Sequence, residues 1–457
     1  MFSFQTTSGD SDFTAYKRKN MRREIFFSDP RGATPLAGLL ALATSEDTDG
    51  AEFSWLEYRY KENKATTAVN GTYGGWLPSS GSATATQAIS AGATLKLQLT
   101  AGDAAKFLVN QILLIVDVKT NGASTYQNVN LRLTAIDTAT DIVTGIVVGG
   151  ASYTIDNAAG QVGKNVICLG NANIEGSTSG AQTAMRWPIN PGNYTQIFRD
   201  PFAFARSAIQ QPLEFDKTGP YKLKARETSY QHMLGLENAL LWGERSKTDT
   251  NESDGTPTTR RTMGGILWYL KEFEKSGGGS FGYRPGGSAL TAWDDDDKRI
   301  IEIPSTGAVT KAQFDFMLER IFRKVTTSSS EKLLLCGSGM ISALNTYYEN
   351  KIVVNKDMQA EHRIGFDLRT VETAHGTLHF RSHPRFNDMS WMRYDGVVLD
   401  MPNLKLRPLV GADTAVRTNI HANDFDGRKD EFFTETSLEL RFPETHAWIR
   451  NFKSISA

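Results

Sequence analysis

The chain has 457 residues, 40% of them hydrophobic and 22% charged, and a net charge of −1. That length supports two or three compact units around a sizeable core, and that balance excludes a disordered polymer. A near-neutral molecule is not a whole-surface binder of nucleic acid, so any phosphate contact has to come from a local patch.

Two cysteines, Cys168 and Cys336, are too few for a disulfide framework or a thiolate zinc site and fit a reducing compartment. The first residues carry no basic start followed by an apolar run, which argues against a secretory signal. The longest apolar runs, Pro35 to Ala43 and Ile112 to Val116, are far too short to span a bilayer. No membrane partner is expected.

In chain order, the first feature is a basic cluster: Lys17, Arg18, Lys19, Arg22 and Arg23. Such a run is ordinarily a solvated arm; the sharper alternative is a surface that meets DNA phosphate or an acidic neighbouring subunit. Thr34 as N-cap and Pro35 at the first position predict a short helix through Leu36, Leu39, Leu40 and Ala43. The aromatic stretch Glu52 to Tyr60 reads as a strand.

Between Leu77 and Asn190 charge becomes sparse, and Thr, Val, Ile, Gly and Asn dominate. Leu95-Lys96-Leu97-Gln98-Leu99 and Val129-Asn130-Leu131-Arg132-Leu133 alternate with period two, and Asn121-Gly122 and Gly149-Gly150 punctuate the runs. Short strands at that spacing predict a small all-β domain. Helical character resumes only afterwards, so this domain reads as an insertion.

A long helix is expected from Pro220 to Arg245, about 40 Å at 1.5 Å per residue. Gly219-Pro220 marks its start, Gly243 its end, and Leu223, Tyr230, Met233, Leu234, Leu240 and Leu241 its apolar stripe; Gly235 is a potential break. Thr310 to Gln313 fits a capping box ahead of an amphipathic helix carrying Phe314, Met317, Leu318, Ile321, Phe322 and Val325. Leu333 to Cys336 reads as a buried strand, Met340 to Tyr348 as a helix, and Gly376 to Phe380, Val397 to Leu399 and Leu438 to Phe442 as further strands.

Chemical motifs fail on context. Gly277 to Gly282 satisfies G-x-G-x-x-G but follows a helix instead of a strand, so it reads as a flexible loop. Ser338 lacks the glycine placement of a nucleophile elbow and reads as a helix cap in a tight turn. His375, His379 and His383 are spaced by four, but on a strand that is about 13 Å, too far to share a metal ion. Asp424, Asp426 and Gly427 suggest a calcium loop whose first and last ligand positions hold Ala422 and Phe433. Asp294, Asp295, Asp296 and Asp297 read as an exposed acidic loop.

Several stretches, in order along most of the chain, carry a resemblance. They are Ala33 to Leu36, Glu52 to Glu57, Tyr194 to Asp200, Leu236 to Arg245, Arg261 to Ile266 and Leu438 to Ala447. Through them the chain resembles the major capsid proteins of tailed double-stranded DNA phages with the Hong Kong 97 capsid fold, nearest the subfamily with a β domain inserted in the extended loop. The resemblance implies an α+β fold and a structural role, with no catalytic residues, cofactor or metal. It implies an N-terminal arm (1–50), an extended loop (51–218) carrying the β domain (about 77–190), and a peripheral domain with a spine helix (219–260). An axial domain (261–375) follows, then return strands (376–457), with those near Leu378 and Val397 going back to the peripheral domain.

The implied partners are further copies in hexamers and pentamers, packaged DNA, a portal and, as a candidate, a decoration protein. With no room for a scaffolding segment ahead of the basic arm, a separate scaffold protein is expected. The implied location is the virion capsid, assembled in the host bacterial cytoplasm. Trp55, Tyr58, Tyr60 and Trp76 are candidate inter-subunit contacts, against the alternative that they fill a local core. The competing readings are a nanocompartment shell enclosing a cargo enzyme, a hydrolase using Ser338, and a phage tail component.

Overall fold

The computed structural model describes residues 36, 45–59, 64–68, 76–78, 86–120, 126–149, 153–156, 161–173, 175–176, 187–211, 219–251, 257–284, 289–290, 297–304, 306–324, 330–348 and 369–456. Among these residues the fold is built on three hydrophobic cores, one in the charge-poor region and two sharing a sheet.

Strand β1 (Glu52–Ser54) leads into the charge-poor region. There β2 (Lys64–Thr66), β3 (Trp76–Pro78), β4 (Thr86–Ile89), β5 (Thr94–Gln98), β6 (Gln111–Lys119), β7 (Tyr126–Asp137), β8 (Ile142–Val147), β9 (Tyr153–Asp156) and β10 (Asn165–Asn171) follow in turn. Seven of them form one sheet, in the order β2-β10-β6-β7-β8-β5-β3, and every neighbouring pair is antiparallel. β4 and β9 make a separate ribbon. The period-two alternation is the cause: Leu95, Leu97, Val129, Leu131 and Leu133 all point into one core with Trp76 and Ile155. The β unit begins at Lys64, before Leu77, and its last strand ends at Asn171.

The chain leaves through β11 (Gly192–Tyr194), which pairs antiparallel with β1. Entry and exit therefore run side by side as two legs. Gly192 permits the approach, because a Cβ there would sit 2.8 Å from the Phe53 carbonyl oxygen. Of the strand expected from Glu52 to Tyr60, the regular part ends at Ser54; the ladder continues through the Trp55 N–H to the Pro191 carbonyl at 3.0 Å and the bridge from Glu57 to Ile189, and Tyr60 lies outside the described residues.

Beyond the legs lie β12 (Gln196–Ala205), helix α1 (Arg206–Gln210) and the long helix α2 (Pro220–Trp242). Its 23 residues make about 35 Å. Gly219 precedes it, Gly243 follows it, and Gly235 does not interrupt it. The buried face differs from the expected stripe: Thr228, His232, Leu236, Glu237, Leu240 and Leu241 are inside, and Tyr230 is exposed. A hairpin of β13 (Ser246–Asn251) and β14 (Pro257–Thr262) follows, then α3 (Ile266–Glu274).

The rest of the chain supplies β15 (Ile300–Glu302), β16 (Ala308–Thr310), α4 (Lys311–Arg323), β17 (Glu331–Cys336), α5 (Ser338–Tyr348), β18 (Arg369–Glu372), β19 (Thr377–Ser382), α6 (Pro384–Asp388) and β20 (Gly396–Leu399). Then come β21 (Leu404–Pro408), β22 (Ala415–Arg417), β23 (Gly427–Leu440), β24 (Ala447–Arg450) and β25 (Ser454–Ser456), the last pairing with β16. The capping box is present: Gln313 N–H donates to Thr310 Oγ1, and Thr310 N–H to Gln313 Oε1.

A mixed six-stranded sheet runs β15-β24-β20-β17-β19-β18. Its central strands are apolar on both faces because both faces are covered. Leu334, Cys336, Val398 and Ile449 meet α4 and α5, whereas Leu333, Leu335, Val397, Leu399 and Trp448 meet the core shared with α2 and α3. β19 and β20, near Leu378 and Val397, pair with β17 in this sheet, and Val397 and Leu399 share a core with the C-terminal half of α2. β21, β22 and β23 run beneath the long helix: β23 pairs with β12 over ten positions, and α2 packs on that sheet.

Two loop readings change. Gly277 to Gly282 lies in and just after a 3-10 turn (Ser276–Phe281) whose one buried residue is Gly278; the turn folds over Glu272, whose Oε2 accepts the Ser280 N–H at 3.0 Å. Ser338 is the first residue of α5, not its cap; its N–H donates to Asn387 Oδ1 at 2.6 Å.

Candidate functional site

The two legs carry the first candidate surface. Along the entry leg, Trp55, Glu57 and Arg59 turn inward and Leu56 and Tyr58 outward, as extended backbone requires. Inside, Trp55 Nε1–H donates to Glu57 Oε1 at 2.8 Å, the Phe442 N–H reaches the same oxygen at 3.1 Å, and Arg59 grips Glu444 through two 2.8 Å contacts. Burial pushes the Glu57 carboxyl above its usual range, against the pull of Arg59. Outside, Leu56 is 72% exposed, Tyr58 46%, and Trp187 on the exit leg 78%. A rigid inner face thus holds three large apolar side chains in water on the outer one, the pattern of a contact surface.

Two buried polar clamps position the elements around α2. His232 lies between Asp200 Oδ2 on β12 and Thr434 Oγ1 on β23, each 2.7 Å from a ring nitrogen. Glu237 Oε1 accepts the Leu36 N–H at 3.0 Å and His383 Nε2–H at 2.7 Å. One carboxylate therefore ties the start of the described chain and the end of β19 to the long helix.

The face of β23 turned away from α2 is a third feature. Glu431, Glu435 and Glu439 alternate along it, all nearly buried, and arginines bracket them. Arg199 and Arg417 hold Glu431, Arg261 approaches Glu435 at 3.8 Å, and Arg407 and Arg441 hold Glu439. Arg199, Arg417, Arg261 and Arg407 come from β12, β22, β14 and β21, whereas Arg441 directly follows β23 itself, so four of the five contacts tie other segments to this strand.

The structure separates the aromatic candidates. Trp76 is fully buried in the β unit and Trp55 is buried in the central core, so both fill local cores; Tyr58 stands at the surface. Tyr60 and the basic cluster Lys17, Arg18, Lys19, Arg22 and Arg23 lie outside the described residues. Leu56 and Trp187 were not singled out, although the alternation through Trp55 already places Leu56 beside Tyr58. His379 contacts Thr370, His383 contacts Glu237, and among the described residues no group of three metal-binding side chains forms. Asp297 is 3.9 Å from Lys324, and Asp294, Asp295 and Asp296 lie outside the described residues. Among those residues no helix is long and apolar enough to cross a membrane.

Comparison with known proteins gives one family. The model of the SU10 major capsid protein family matches residues 5–453. No curated protein matches. Among solved structures, the capsid of an empty GTA particle aligns at 7% identity and a TM-score of 0.43, covering 98% of this chain and 99% of that one. The cyanophage A-1(L) capsid subunit aligns at 13% and 0.38, covering 62% and 85%. The SrpI encapsulin of Synechococcus elongatus PCC 7942 aligns at 11% and 0.33, covering 59% and 77%. These overlaps are too loose to carry structural detail across.

Proposed function

The chain belongs to the SU10 major capsid protein family, and from that premise we propose that its subunits assemble as hexamers and pentamers into an icosahedral shell around the double-stranded DNA of a tailed phage. It is a shell-forming structural protein of a virion. The observation that carries this is the family match along residues 5–453. That match is to a capsid protein and not to a nanocompartment shell.

The proposed layout is that of the Hong Kong 97 capsid fold. The residues before the legs are the arm, and the β unit is a domain inserted in the extended loop. α2 and the β12-β23-β21 sheet form the peripheral domain, and the six-stranded sheet with α4 and α5 the axial one. The support for it is the adjacency of the two legs, the separate core of the β unit, and the length of α2. Leu56, Tyr58 and Trp187 then bury against neighbouring copies, and the basic cluster contacts DNA or an acidic neighbour. A separate scaffold, a portal and a decoration protein are further proposed partners, and assembly takes place in the host bacterial cytoplasm.

Cryo-electron microscopy of assembled particles, classified without imposed symmetry, tests the arrangement. Fivefold and sixfold capsomers in one closed lattice are expected. Open tubes built from a single ring type would contradict it and favour a tail component.

A further inference from the structure

Four of the chain's eight tryptophans converge on one cavity. Trp242 ends α2, Trp268 stands on α3, Trp448 on β24, and Trp391 follows α6; together they line about 310 Å³. Trp391 is 60% exposed, and a large aromatic held in water beside a hollow is the residue type most enriched where another surface lands. Lys271 lines the cavity, is exposed, and has no ion-pair partner among the described residues. Arg450 lines it as well, its guanidinium 4.8 Å from the Trp448 ring centre and paired with Glu302. Glu244 is the one carboxylate in the lining. The hollow is therefore aromatic-walled, with Lys271 on its rim as a cation that has no ion-pair partner among the described residues.

The same chain carries the complement. A turn before β23 presents Phe425, 43% exposed, between Asp424 and Asp426. Its N–H donates to the Ala422 carbonyl and its own carbonyl accepts the Gly427 N–H, both at 3.1 Å, with the His421 ring 5.5 Å away. The knob is thus a braced aromatic flanked by acids. Asp426 pairs with Arg206 at 3.3 Å, and Asp424 has no partner among the described residues.

Placement settles which copy can meet which. The knob leads into β23, where Asp430 is hydrogen-bonded by Tyr221 in the first turn of α2. The cavity lies at Trp242, the last residue of that helix. The two features are at opposite ends of α2, about 35 Å apart along its axis at 1.5 Å per residue. A subunit therefore does not fill its own cavity. Contact between unlike patches of two copies is head-to-tail, the class that forms rings where the rotation between copies closes.

We infer that Phe425 of one subunit inserts into the tryptophan-lined cavity of a neighbouring subunit, with Asp424 facing Lys271. The inference rests on the capsid reading and names one of its contacts. Charge reversal tests it. Lys271→Asp and Asp424→Lys singly should raise the subunit concentration needed for assembly about tenfold or more, and the double variant should return it to within about threefold of wild type. Phe425→Ser should behave like the single reversals. Thermal melting of each unassembled variant at the wild-type temperature separates lost assembly from lost folding.

Normal assembly of all three single variants overturns the contact and leaves the capsid reading intact. Impaired single variants without rescue in the double overturn the pairing. Failure of the wild-type chain to assemble both alone and with a scaffold protein removes both the contact and the capsid reading. An independent readout needs no destabilising change: the Trp391 emission, taken as wild type minus Trp391→Phe, should move to shorter wavelength on assembly. An unmoved emission contradicts insertion.

Discussion

Glu237 joins segments far apart in sequence through one buried atom. Its Oε1 receives two donors from distant segments inside a site closed to water. Glu237→Ala strands the Leu36 N–H and the His383 ring, and should destabilise the subunit by roughly 3–5 kcal/mol. Glu237→Gln keeps an accepting oxygen and should cost markedly less. Urea unfolding of the unassembled subunit measures both. His446 gives a pH dependence. Burial first, then the nearby positive charge of Lys332, holds its folded pKa down at about 3, and its Nδ1 accepts the Asp400 N–H at 3.1 Å. The unfolded chain binds a proton near pH 6.5 that the folded chain refuses until about pH 3, so stability falls as pH drops through that window. His446→Asn keeps an acceptor without the titration, and denaturation curves at several pH values should show a flatter acid limb. Lys332, held by burial at about 8, acts on the alkaline side: stability rises from about pH 8 toward the free lysine value near 10.4.

At the scale of elements, what the sequence made legible was local chemistry. The Thr310 capping box, the apolar run into Cys336 and the period-two leucines of β5 each state their own conformation, because the partners that decide it are a few residues away. The inner face of α2 was not legible. His232 and Glu237 look like solvent-facing residues until Asp200, Thr434, Leu36 and His383 arrive from up to 202 positions away. The start of the β unit was missed for a related reason: Lys64-Ala65-Thr66 is polar and short, and only its pairing with β10 makes it a strand. The glycine turn shows what a motif match hides. Gly279 has φ +65°, and a Cβ there would lie 2.1 Å from Glu272 Oε2. Gly279→Ala should destabilise by about 1–3 kcal/mol through the backbone conformation, with the clash in addition. Thermal melting checks it, and an unchanged melting temperature would support the flexible-loop expectation over a tightly held turn.

For the whole molecule, assembly has to be read from surfaces and not from a catalytic constellation. Trp55, Tyr58, Tyr60 and Trp76 stood as candidate contacts or as local core, and sequence does not say which aromatics are inside; burial puts Trp55 and Trp76 in cores and leaves Leu56, Tyr58 and Trp187 in water. Trp187→Ser together with Leu56→Ser should leave a subunit of wild-type melting temperature whose assembly is reduced at least about tenfold, since exposed positions add little to the fold and central apolar anchors dominate interfaces. Light scattering on concentration jump reads that difference directly. The β unit, with its own core between Lys64 and Asn171, should fold when expressed alone as residues 60–175, giving one cooperative thermal transition.

The central claim, that this chain builds shells, is tested most directly by negative-stain microscopy of the purified protein, alone and with a candidate scaffold protein. Closed shells, or rings that convert to shells, are the predicted result. A stable monomer that forms no higher assembly under either condition would contradict it.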